Sequence, residues 1–140
     1  MSSNAVATER APLITEADYD RLNHLAEPRG NQGMLITKLK ENLSRRRVVP
    51  TTKVPKSVVT MHSRVRVRDP KGADVETYTL VYPDAADINQ EKLSVLAPMG
   101  AALLGAHEGQ VVKFQTPGGV RRLKVVKIVY QPETAGDFHL

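Results

Sequence analysis

APMGAALLGAHEGQVVKFQTPGG, residues 97–119, decides the fold. It opens on Pro98, whose missing N–H is one of the groups a first helical turn leaves unbonded anyway. A helix through PMGAALLG is too short to stand alone in water and needs a surface to lie on. QVVKFQT then alternates apolar and polar with the period of a half-buried strand. In TPGG, Pro117 suits the first central position of a β-turn and Gly118 the second, where a positive φ is needed. VRRLKVVKIVYQ reads as the strand that folds back.

Working outward, SRVRVRD sets Val65 and Val67 on one face and Arg64, Arg66 and Arg68 on the other. DPKGAD is a turn, and VETYTLVY alternates Val75, Thr77, Thr79 and Val81 with Glu76, Tyr78, Leu80 and Tyr82. PDAADINQEK is a polar loop and KLSVLA a short extended piece. The C-terminal half is expected to be an antiparallel sheet with one short helix across it, an α+β arrangement.

Before residue 50 the period is helical. TEADYDRLNHLAE has Thr15 as N-cap, acidic residues in the first turn, and Tyr19, Leu22 and Leu25 or Ala26 at helical spacing. PRGN breaks it. QGMLITKLKENLSRRR repeats Leu35, Leu39 and Leu43, with Ile36 widening the stripe. The two stripes read as a short antiparallel helical hairpin. The expected organisation is a flexible tail over 1–12, the hairpin over 13–49, a Pro-containing linker over 50–56 and the sheet domain with its C-terminal tail over 57–140.

Composition limits function. The 140 residues support one sizeable core, which excludes a machine of two large domains. An apolar share of 41% and a charged share of 25% are those of a folded globular chain. With no cysteine there is neither a disulfide nor a thiolate metal site. No run of about 18 apolar residues and no signal-peptide pattern is present, so a cytoplasmic protein without a membrane contact is expected. The net charge of +5 favours an acidic partner, either nucleic acid or a protein surface.

Catalytic signatures are weak. His24, His62, His107 and His139 share no metal-ligand spacing, His62 and Ser63 are only sequence neighbours, and Asp84 and Asp87 sit in a turn-rich loop. No phosphate loop occurs. No cofactor is expected. Arg45, Arg46 and Arg47 close the second helix, where they either answer the helix dipole or touch an acidic partner. Leu96, Ala97, Pro98 and Met99 form a corner that is either an ordinary helix start over the core or an apolar docking knob.

VVTMHSRVRV, VETYTLVYP, LSVLAPMGAALLGAHEGQVV and TPGG resemble the C-terminal domain of the Gre transcription-factor family. The matching positions are Ser94, Val95, Ala97, Pro98, Leu103, Leu104, Gly105, Gly109 and residues 117–119. YQPETAGDFHL and the short hairpin are similar to one branch, the regulators of nucleoside diphosphate kinase. The resemblance implies an FKBP-like fold for the second half and bacterial RNA polymerase as partner, met by the corner at the rim of the secondary channel. It also implies a regulator that competes with Gre-type factors, a monomer, and at most a weak nucleic-acid contact through basic residues.

Gre factors also carry a long coiled coil whose acidic tip helps hold a catalytic magnesium. Here each helix of about 12–15 residues gives a hairpin of roughly 20 Å. Its tip, Glu27, Pro28, Arg29, Gly30 and Asn31, offers one carboxylate beside an arginine. A non-catalytic role follows, with an active cleavage factor as the alternative. Less favoured are a prolyl isomerase, for which Tyr78, Tyr82, Phe114, Tyr130 and Phe138 form no recognisable pocket, and a direct binder of nucleoside diphosphate kinase.

Overall fold

The computed structural model describes residues 12–24 and 31–137. Strand β1 (Leu13–Thr15) leads directly into helix α1 (Glu16–Asn23). Thr15 caps it, its hydroxyl accepting from the Asp18 N–H at 3.1 Å. Helix α2 (Asn31–Leu43) buries Ile36, Leu39 and Leu43 of the predicted stripe, and the Leu35 side chain lies outside the described residues. The tail over 1–11, positions Leu25 and Ala26, and the tip from Glu27 to Gly30 lie outside the described residues.

Helix α2 ends before the arginine run, so those residues do not close it. The Ser44 hydroxyl donates to the Glu41 carbonyl at 2.6 Å, competing with the helical ladder. The chain then enters β2 (Arg47–Val49), which pairs in parallel with β1. Residues 50–56 hold a 3-10 turn, Thr51–Lys53. Its Thr51 hydroxyl accepts the Ala17 N–H at the first turn of α1, at 3.2 Å.

Five further strands follow: β3 (Arg64–Arg68), β4 (Val75–Val81), β5 (Lys92–Ser94), β6 (Val111–Thr116) and β7 (Gly119–Tyr130). They form one sheet in the order β5-β4-β3-β7-β6. It is mixed rather than purely antiparallel, because β5 runs parallel to β4. The polar loop over 82–91, with 3-10 turns at Pro83–Ala85 and Ile88–Gln90, brings the chain back beside the second half of β4, with Lys92 opposite Thr79. A second correction concerns the hairpin turn, whose positive φ falls on Gly119 (115°), not on Gly118. Proline at 117 cannot take the positive φ of a hairpin-type turn, so the backbone adjusts one residue later.

Helix α3 (Pro98–Leu103) crosses the sheet, and α4 (Pro132–Ala135) closes the chain. One apolar cluster joins Val65, Val67, Leu123 and Val125 of the sheet to Leu103 and Leu104, and also to Ile14, Leu22 and Leu39. Each such buried side chain contributes about 1.5–3 kcal/mol. Two glycines make the layers fit. A Cβ on Gly100 would overlap the Ser94 carbonyl, and Gly105, at φ 82°, lies against the Leu13 backbone where a Cβ would collide.

Candidate functional site

The corner is built by Ser94, whose hydroxyl accepts the Leu96 N–H at 3.1 Å and whose carbonyl accepts the Ala97 N–H at 3.1 Å. Pro98 then starts α3, and the Ala101 N–H closes the first turn on the Ala97 carbonyl at 2.9 Å. The four corner residues go to different places. Leu96 is 6% exposed and belongs to the core, Ala97 and Met99 are half-buried against it, and Pro98 is exposed.

Beside Pro98 runs a groove of about 690 Å³. Lys38 and Leu39 of α2 form one wall, Ala101 and Ala102 of α3 the floor, and Phe114 to Pro117 the other wall. Lys113 and Arg46 make its margin basic.

The three arginines after α2 separate too. Arg45 and Arg47 are exposed, whereas Arg46 turns inward. Its guanidinium donates to the Ala101 carbonyl at 3.0 Å and to the Leu104 carbonyl. Those are carbonyls of the C-terminal turn of α3, which a six-residue helix leaves unbonded. Burial lowers the Arg46 pKa to about 10. Arg46 thus ties the N-terminal segment to the helix that carries the corner.

A second tie escapes the sequence entirely. Asp18 is 4% exposed and its Oδ2 accepts the Met61 N–H at 3.0 Å. Its pKa is pushed up to about 6, chiefly by burial and also by the Glu133 carboxylate, against the opposing pull of the Met61 and Thr15 bonds and of Arg21. The loop it grips is tight: His62 has φ 67°, left-handed for a residue with a Cβ. Ser63 accepts the Thr60 N–H at 2.9 Å, and the Thr60 hydroxyl reaches Glu133 at 2.7 Å. Ser63 is fully buried and bonded to Thr60, which is a structural hydroxyl rather than an exposed nucleophile. His62 instead meets the Tyr82 ring, centroids 5.5 Å apart, and burial lowers its pKa.

Among the described residues, no group of three His, Asp or Glu side chains is placed to hold a metal, and no helix is long and apolar enough to cross a membrane. His24 is exposed beside Asp20, His107 is buried, and His139 lies outside the described residues.

Residues 54–130, more than half of the chain, match the family described as "Transcription elongation factor, GreA/GreB, C-term". The chain belongs to that family. It is 39% identical over 130 residues to the regulator of nucleoside diphosphate kinase of Escherichia coli K12, covering 91% of this chain and 96% of that one. It is 35% identical over 96 residues to the transcription elongation factor GreA of Hyphomonas neptunium, covering 69% and 61%. A solved transcription elongation factor GreA/GreB from Nitrosomonas europaea superposes with TM-score 0.66 at 36% identity, covering 86% of this chain and 99% of that one. The corner and the α3 and β6 sides of the groove therefore lie within the family's own domain, while Lys38, Leu39 and Arg46 precede it, and the chain is a transcription-factor-like regulator of Gre type.

Proposed function

We propose that this Gre-family chain is a non-catalytic, monomeric cytoplasmic regulator that binds bacterial RNA polymerase and competes with Gre-type factors for the rim of the secondary channel. The observation that carries the reading is the exposed Pro98 beside the basic-margined groove, inside the segment that matches the Gre C-terminal domain. In this reading residues 57–131 form an FKBP-like domain, and residues 13–49 a short antiparallel hairpin braced against it by Asp18 and Arg46. Leu96 supports the contact from beneath, Ala97, Pro98 and Met99 present it, and Arg45 and Arg47 steer the approach to an acidic rim. A two-helix projection of roughly 20 Å is short for delivering a carboxylate down a channel. The name carried by the Escherichia coli relative is then explained by control of transcription, without direct contact with the kinase.

Pro98→Asp tests the docking. The position is exposed and a carboxylate suits the first turn of a helix, so melting should match the parent. A charge set in a desolvated contact should weaken polymerase binding at least about tenfold. Parent-like affinity would remove the corner from the interface. Magnesium-dependent shortening of RNA in stalled complexes by the purified chain would restore the cleavage reading.

A further inference from the structure

We infer that the outer face of the five-stranded sheet is a contact surface for the phosphate backbone of duplex nucleic acid, distinct from the polymerase-docking corner and sharing with its groove only Lys113 at the edge. The face is defined by register. Val65 and Val67 are fully buried on the inner side, so Arg64, Arg66 and Arg68 project outward together. Across the ladder Arg66 stands opposite Lys127, Arg68 opposite Lys124, and Lys113 opposite Arg122.

Three directly opposed like-charge pairs are unfavourable for a sheet. Among the described residues no carboxylate lies within ion-pair distance of any of the six. Asp69 and Glu108, at the margins, accept the backbone N–H groups of Lys71 and Ile128 at 2.8 and 2.9 Å. Glu76 sits on the inner side, across from Val67, and meets Arg121. Arg68 turns its guanidinium onto the Asp69, Pro70 and Gly72 carbonyls, at 3.2 Å each; the other five cations have no such acceptor among the described residues, and an external anion would relieve their repulsion.

The pattern selects the kind of anion. Protein interfaces place apolar and aromatic anchors at the centre and deplete charge there, whereas here the centre is cationic: of the exposed valines, Val75, Val111 and Val120 stand at the margins, and Val126 and Val129 sit at the register shifts of β7 among the cations. Side chains on one face recur about 7 Å along a strand and about 5 Å across strands, a two-dimensional grid suited to repeated phosphates. Arginine forks match phosphate oxygens bidentately. Stacking on unpaired bases needs aromatic platforms; among the described residues this face has Tyr130 alone, its hydroxyl bonded to Asp137. A duplex held by its backbone fits, with no sequence preference.

The test is fluorescence anisotropy with a 20-base-pair DNA duplex (~20 bp, about two helical turns) titrated with the whole chain between 50 and 200 mM salt. The parent should bind with an affinity that falls steeply with salt, at about 0.9 logarithmic units per phosphate contacted. Arg66→Gln with Lys124→Gln should weaken binding about tenfold and flatten that slope by about two. The charge-matched pair Lys40→Gln with Lys53→Gln, on α2 and the turn at Thr51–Lys53 rather than on the five-stranded sheet, should do neither. Equal losses from both pairs, a flat salt dependence in the parent, or no binding at 50 mM salt would each overturn the inference. Tighter binding of a polyglutamate peptide than of the duplex would overturn it in favour of an acidic protein surface. Melting curves of both pairs accompany the titrations; the salt dependence of the parent decides the matter even where a variant folds poorly.

Discussion

Two arginine triplets look alike in the sequence and do opposite things in the fold. Arg45, Arg46 and Arg47 are consecutive and follow a helix, so their side chains leave the backbone in different directions and one of them, half-buried, is spent on the carbonyls of α3. Arg64, Arg66 and Arg68 are spaced by two on a strand, so all three share one face. Spacing decides whether charge acts as a surface. A half-buried charge such as Arg46 serves assembly, whereas on β3 Arg68 is held by its own turn and the exposed Arg64 and Arg66 are left over for a partner.

The largest expected effect comes from breaking the first triplet. Arg46→Ala leaves the Ala101 and Leu104 carbonyls without their donor and opens the seam between α2 and α3, at a cost of about 2–4 kcal/mol. That corresponds to a melting temperature lower by roughly 10 °C. Arg45→Ala, one residue away and exposed, should stay within about 0.5 kcal/mol. Equal effects at 45 and 46 would mean that the inward guanidinium is not a tie.

Asp18 sharpens the contrast from the acidic side, with a smaller effect of opposite sign. Its carboxyl titrates near 6 in the folded chain against an ordinary 3.8. Between those values the folded state binds more protons than the unfolded one, so this group's contribution falls as pH rises from about 4 to 6 and levels off above. Asp18→Asn keeps an acceptor for the Met61 N–H and removes the buried charge. It should raise stability at pH 7 by about 1–2 kcal/mol and abolish that part of the pH dependence. Denaturant titrations at pH 4.5 and 7.5 check this; an Asn variant less stable than the parent at pH 7.5 would show that the charge itself holds the seam.

What was legible in the sequence divides along the same line. Period two located β3, β4, β6 and β7, Thr15 marked the start of α1, and Pro98 the start of α3, because those signals are local. The parallel pair β1–β2 has three residues in each strand and no period to read, and β5 was legible as the extended piece KLSVLA but not as a parallel partner of β4. Arg46 meets Leu104 across 58 positions and Asp18 meets Met61 across 43. Nothing near Arg46 distinguishes it from Arg45 or Arg47. A threonine cap followed by acidic residues likewise accounts for Asp18 as a first-turn carboxylate without sending it inward. Of the corner, the helix start was readable, but the burial of Leu96 beneath an exposed Pro98 depends on where Ser94 turns the chain.

The smallest predicted effect tests the second triplet without any partner present. If the outer face carries unrelieved repulsion, Lys127→Glu should stabilise the protein, because it replaces a like-charge pair with Arg66 by an opposite-charge pair at the same register position. Cross-strand pairs of this kind are worth about 0.2–1 kcal/mol, and both side chains are exposed, so the gain belongs at the lower end. It should shrink as salt is raised from 50 mM toward 1 M, where screening is shorter in range than the pair's surroundings. The paired variant Arg66→Glu with Lys127→Glu restores repulsion with the sign reversed and should return stability to the parent's level. A gain from Lys127→Glu that survives in the paired variant would assign the effect to strand propensity at position 127. A gain that disappears there shows that the sheet tolerates a charge conflict its own interior does not resolve.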